Sequence, residues 1–203
     1  MEILGKLFGS LARVRILRLF LFNPGIVYER KEVAKRAKTT PETAGKELTL
    51  LRNIKLIRQK KATREIQGKK RTIIGWALNE QFKYLIPLQN FLIHAAPVKE
   101  NDIVKKFKGV GTIKLLLVTG VFIRNLDTRI DILIVGDNLH ERSLERAIRG
   151  LEADLGREVR YASFSTDDFR YRMGIYDRLV RDIFDYPYHI LIDKIGIERS
   201  SRE

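Results

Sequence analysis

The sequence predicts an α+β protein in two parts: a helix-turn-helix with a basic hairpin over residues 1–97, and a small α/β domain over 98–203. Three observations predict it. Capped, helix-period apolar stripes crowd the first half and lead into a cation-rich hairpin pattern. Apolar, strand-like runs alternate with amphipathic helical stretches in the second half. The charge is also divided unevenly. Residues 1–97 carry 20 Lys+Arg against 7 Asp+Glu, a net +13, whereas residues 98–203 carry 19 against 18, a net +1 of the total +14. Charge gathered in one half is expected where one module meets a polyanion and the other does not.

The first helix starts at Ser10, a good N-cap, and repeats Leu11, Val14, Leu17 and Leu21 at helical spacing, with Arg13, Arg15 and Arg18 between them. "NPG" at 23–25 ends it. A short second helix follows in "IVYERKEVAKRAK", with Val33 and Ala34 facing inward. In "TTPETAGKELTLLRNIKLI", Thr39 or Thr40 caps a third helix, Pro41 suits its first turn, and Glu42 can bond back to Thr39. Ala44, Leu48 and Leu51 form its buried stripe, leaving Glu42, Thr43, Gly45, Lys46 and Thr49 on other faces. A short helix, a tight turn and a second helix opening on small polar residues is the arrangement that sends its second helix into the major groove.

The hairpin follows directly. Between residues 58 and 71 stand Arg58, Lys60, Lys61, Arg64, Lys69, Lys70 and Arg71 against one acid, Glu65, with Gly68 for the turn. Such a hairpin suits phosphates, and Trp76 on its return strand is expected to face the core. A helix over about 80–95 has Phe82, Leu85, Leu88, Phe91 and Leu92 on one broad face, suited to a homodimer contact or to packing on the next domain.

"LFGSLARVRILRLFLFNPG", "TTPETAGKELTLLRNIKLI" and "RTIIGWALNEQF" resemble winged-helix transcription regulators of the arsenic-repressor-like type, over roughly residues 5–95. Lys55 departs from that pattern, standing where such proteins usually turn on a glycine. The metal-sensing branch uses cysteines or histidine clusters; neither occurs in this sequence, so metal sensing is not carried over.

In the second half "GTIKLLLVTGVF" and "RIDILIVGD" read as buried strands, "ERSLERAIRGLEADLG" as a helix ending at Gly156, and "EVRYASF" as a third strand. "STDDFRYRMG" opens a capped helix, and "YHILID" ends the series. This order, with "DDF" and the tail "FRYRMGIYDRLVRDIFDYPYHILI", resembles the minimal nucleotidyltransferase domain over roughly residues 100–195. The whole chain is similar to winged-helix regulators fused to such a domain.

Nucleotidyl transfer needs about three carboxylates to hold two divalent cations. The resemblance puts two of them at alternate positions of one strand, filled here by Arg129 and Asp131. The third falls near Arg160, and the triphosphate-binding turn is Gly120-Val121, without a hydroxyl. Asp127 and Glu158 are the two carboxylates that could substitute. One carboxylate facing up to two guanidiniums would repel magnesium, so the expectation is a pseudoenzyme with no catalytic residues, metal site or cofactor. Asp131 is then expected to pair with Arg129 or Arg160, or the arginines to hold a nucleotide or phosphate ligand.

The expected function is a DNA-binding transcriptional regulator, with double-stranded DNA and a second copy of the chain as partners. Thr40, Glu42, Thr43 and Lys46 would face the groove, and the seven hairpin cations the phosphates. The alternative is an active nucleotidyltransferase that modifies RNA or protein, as in a toxin–antitoxin pair. A cysteine-free chain excludes disulfides and cysteine nucleophiles. No apolar run reaches the ~20 residues of a membrane helix, and the N-terminal apolar stretches are broken by arginines, so no membrane contact and a cytoplasmic location are expected.

Overall fold

The computed structural model describes residues 2–66, 68–94, 98–123 and 128–197. The chain divides into two compact units, Met1–Pro97 with Glu152–Glu158, and Val98–Leu151 with Val159–Glu203. Both mix helix and strand, so the α+β class read from the sequence is the class found. No described helix is long and apolar enough to cross a membrane.

The first unit opens with α1 (Glu2–Leu7), which the sequence reading did not foresee, and α2 (Leu11–Leu21). Ser10 caps α2 by accepting the Arg13 N–H at 3.2 Å. Val14, Ile16, Leu17, Leu19, Phe20 and Leu21 are buried, and so, unexpectedly, is Arg18. Its guanidinium donates to the backbone carbonyls of Leu92 and Asp154, which replace the water it has lost. Desolvation still lowers its pKa, and the Asp154 carboxylate opposes that shift.

Helices α3 (Arg30–Arg36) and α4 (Pro41–Asn53) follow. Thr40, not Thr39, caps α4, accepting the Thr43 N–H at 3.2 Å, and Pro41 occupies the first turn. Ala44, Leu48 and Leu51 are buried in the unit's core, as their spacing predicts. The end of α4 is a Schellman motif. The Leu56 N–H donates to the Leu51 carbonyl at 3.0 Å and the Lys55 N–H to that of Arg52 at 2.8 Å. This places Lys55 at φ 63, left-handed backbone that costs a non-glycine residue about 1 kcal/mol. Lys38, at φ 50, ends α3 in the same way.

Strands β1 (Ile57–Ile66) and β2 (Lys69–Leu78) form an antiparallel hairpin turning at Gly68, φ 72. Tyr28 bridges to Trp76 beside it, with backbone bonds of 2.9 and 2.8 Å. That close approach needs Gly75, where a Cβ would lie 2.6 Å from the Tyr28 oxygen. Trp76 is half-buried against the core, as expected. The helix expected over 80–95 is α5 (Leu85–His94); its start is delayed because Asn79 organises a turn, accepting the N–H groups of Phe82 and Gln81. Leu85 and Leu88 pack inward, while Ile86 and Phe91 stay exposed together with Ile3 and Leu7 of α1.

The second unit holds a four-stranded sheet in the order β5-β4-β3-β6. The strands are β3 (Thr112–Val118), β4 (Ile132–Asp137), β5 (Tyr161–Phe164) and β6 (His189–Asp193). β4 and β5 run parallel, and the other pairs are antiparallel. The central strands β3 and β4 bury Leu115, Leu117, Leu133 and Val135 against Phe169 of α8 (Thr166–Gly174) and Val180 and Ile183 of α9 (Arg178–Phe184). Helix α6 (Glu100–Lys106) precedes β3, and α7 (Glu141–Leu155) connects β4 to β5. Two expected strand limits move. "RIDILIVGD" pairs only from Ile132, and "EVRYASF" only from Tyr161.

Candidate functional site

On α4 the exposed face holds Glu42, Lys46 and Thr49, with Thr43 and Gly45 half-buried. Thr40 is exposed, but its hydroxyl oxygen accepts the Thr43 N–H and lies 3.1 Å from the Thr43 hydroxyl. Both threonines are therefore tied into the cap. The Glu42 carboxyl lies below its usual range because its own backbone N–H and the Thr40 hydroxyl stabilise the charged form. Lys46 is exposed and in mid-helix.

The hairpin register assigns its cations to two faces. Arg58, Lys60, Arg64, Lys69 and Arg71 share one, and Lys61 and Lys70 lie on the other. Six of the seven are exposed; Arg64 is the exception. Its guanidinium donates to Glu32 at 2.9 Å and to the Val27 carbonyl, so it ties the hairpin to the segment before α3. The cause is local packing: Ala62, Ile73 and Ala77 on the same face cluster with Val27 and draw that chain close. Arg64, expected to contact phosphate, is here engaged within the fold.

In the second unit Asp131 is fully buried. One carboxylate oxygen accepts the Val121 N–H at 3.0 Å and Arg160 Nη2 at 3.2 Å. The other accepts the Arg160 N–H at 2.9 Å and Arg160 Nε at 3.2 Å. Each oxygen thus has one backbone and one guanidinium donor. Gly120, at φ 55, opens a 3₁₀ turn directly against this carboxylate, and a Cβ there would lie 2.0 Å from Asp131 Oδ1.

Arg129 does not join them. Residues 129–131 precede β4, so the period-two argument that gave Arg129 and Asp131 a common face does not hold. Arg129 pairs with Asp182 of α9 at 2.9 Å instead. Among the described residues the surroundings of Asp131 therefore contribute one carboxylate and one guanidinium, not the second guanidinium expected from sequence. Of the two substitutes, Glu158 pairs with Arg36 at 3.3 Å within the first unit, and Asp127 lies outside the described residues. Among the described residues no group of three His, Asp or Glu side chains is gathered as metal ligands would be.

No protein-family model, curated protein or solved structure matches this chain.

Sequence reasoning missed two partners here. Asp182 carries no motif and lies far along the chain from Arg129. The Val121 N–H is a backbone group that no side-chain pattern signals. Arg160 as the partner of Asp131 was one of the pairings open from sequence, and it is the one found.

Proposed function

We propose that the chain is a DNA-binding transcriptional regulator, built as a winged helix-turn-helix followed by a nucleotidyltransferase-like domain without catalytic activity. The observation that carries this reading is the pairing of a capped α4, whose outer face is polar, with a hairpin that exposes six cations. Helix α4 enters the major groove with Lys46 and Glu42 toward base edges, where a lysine suits guanine and a carboxylate suits cytosine. Arg58, Lys60, Lys61, Lys69, Lys70 and Arg71 hold phosphates on either side of the hairpin. Two copies associate through exposed apolar side chains of α1 and α5, among them Ile3, Leu7, Ile86 and Phe91.

The saturated carboxylate of Asp131 supports the inactive reading. A divalent cation would have to displace both a guanidinium and backbone donors from the single central acid. The two arginines are engaged by Asp131 and Asp182, which favours a structural use over nucleotide capture. Selection of bound sequences from a random duplex library tests the regulator, and a two-fold symmetric consensus is the expected result. Recovery of structured RNA in preference to duplex would overturn it. Label transfer from nucleoside triphosphates with magnesium to any acceptor in cell extract would overturn the inactive domain.

A further inference from the structure

Where α4 ends and the hairpin begins, Arg52, Lys55 and Arg58 line a notch of about 340 Å³ with Ile57, Gln59 and Asn79. All three cations are exposed, and among the described residues none has a carboxylate partner. The notch has no acid in its lining; the nearest in sequence, Glu80, lies outside it. The carbonyl end of α4 contributes only about half a negative charge, too little to offset three cations. The remaining polar side chain free to donate is Gln59, since Asn79 is spent on the Lys55 carbonyl at 2.8 Å.

Lys55 strengthens the case. Its backbone, at φ 63, is one that glycine adopts without strain. For the fold alone, glycine is the better residue there. The lysine side chain is thus carried at the expense of stability, as happens where a strained residue serves a site.

We propose that this notch is a binding site for one phosphate group, and that, resting on the DNA reading above, its natural occupant is a backbone phosphate beside the root of the hairpin. Arginine forks match phosphate oxygens in pairs, while lysine adds a point charge. This contact is separate from those of the hairpin tip and brings Arg52 and Lys55 into the interface.

The test uses the full chain and Lys55→Gly. The glycine relieves the left-handed backbone, so its melting temperature should rise by about 4 °C. Duplex binding should nevertheless weaken about fivefold at low salt, with the slope of log affinity against log salt reduced by about 0.9. Arg52→Gln with Arg58→Gln should weaken binding further without that rise in melting temperature. In a second arm, inorganic phosphate is titrated into wild-type protein followed by backbone amide NMR. Shifts centred on residues 52–59, absent from the double variant, are expected. If the wild type holds no duplex yet phosphate still perturbs these amides, the notch stands and the regulator reading fails. If duplex binds and neither set of variants changes affinity or slope, the notch is overturned and the regulator reading survives.

Discussion

Arg160 closes on Asp131 from two directions, with its backbone N–H at 2.9 Å and its guanidinium nitrogens at 3.2 Å from each carboxylate oxygen. The same carboxylate holds the Val121 N–H, so one buried acid ties the start of β5, the start of β4 and the 3₁₀ turn after β3. A carboxylate in this position acts as a structural clamp. Asp131→Ala should cost about 3 kcal/mol, because two backbone donors and a guanidinium lose their acceptor. Arg160→Gln should cost less, about 1 kcal/mol, since its side chain is half exposed and its backbone bond remains. Urea denaturation of both variants measures the difference; equal, negligible losses would contradict the clamp.

Gly120 is coupled to the same acid. Gly120→Ala should destabilise the protein by more than about 2 kcal/mol, because the methyl group meets Asp131 Oδ1 and the backbone is left-handed. In an Asp131→Ala background that cost should shrink, the clash with the carboxylate having been removed. A double-mutant cycle reads the coupling directly, and strict additivity would mean the two residues are independent.

The hairpin cations divide by job. Arg64→Ala should lower stability by about 1–2 kcal/mol through loss of the Glu32 pair and the Val27 bond, and should leave the salt slope of duplex binding unchanged. Lys60→Ala with Lys69→Ala should do the reverse, flattening the slope by about 0.9 for each phosphate no longer neutralised and leaving the urea midpoint in place. Exchange of these two phenotypes would reverse the two roles.

These residues also mark how far the sequence reading reached. Helices α2 and α4 were legible because Ser10 and the threonines before Pro41 are local capping signals, and because apolar spacing reports burial. The hairpin was legible from its cations and Gly68. The internal bonds of Arg64 were not legible because nothing local distinguishes it from its neighbours; they depend on Val27 and Glu32, which the fold brings to it. The same holds for Arg129, whose partner Asp182 lies on a helix far along the chain. The error about Arg129 and Asp131 sharing a face came from starting the strand three residues early, and a strand's period says nothing about residues that precede it. The burial of Arg18 was likewise not legible: it rests on the backbone carbonyls of Leu92 and Asp154, which only the fold brings to it.

The proposed association of two copies rests on the exposed apolar side chains of α1 and α5. Leu7→Glu with Ile86→Glu should convert a dimer to a monomer in sedimentation analysis. The same variant should bind a two-fold symmetric duplex much more weakly while holding a single half-site nearly as well, since a monomer engages only one half-site at a time. A wild-type chain that sediments as a monomer at all concentrations would remove the dimer from the account.

Lys46 offers a check on groove reading. Lys46→Ala should reduce discrimination among duplex sequences by about 1–3 kcal/mol at one base pair, with a smaller effect on non-specific binding. Competition between selected and scrambled duplexes measures it, and equal losses on both would mean Lys46 meets phosphate only.

The most direct measurement of the central claim is the affinity of the intact protein for duplex DNA, followed as salt is raised. A first unit that neutralises about five or more phosphates predicts a linear fall of log affinity with log salt, with a slope steeper than about −4. Undetectable binding in dilute buffer, or an affinity indifferent to salt, would contradict it.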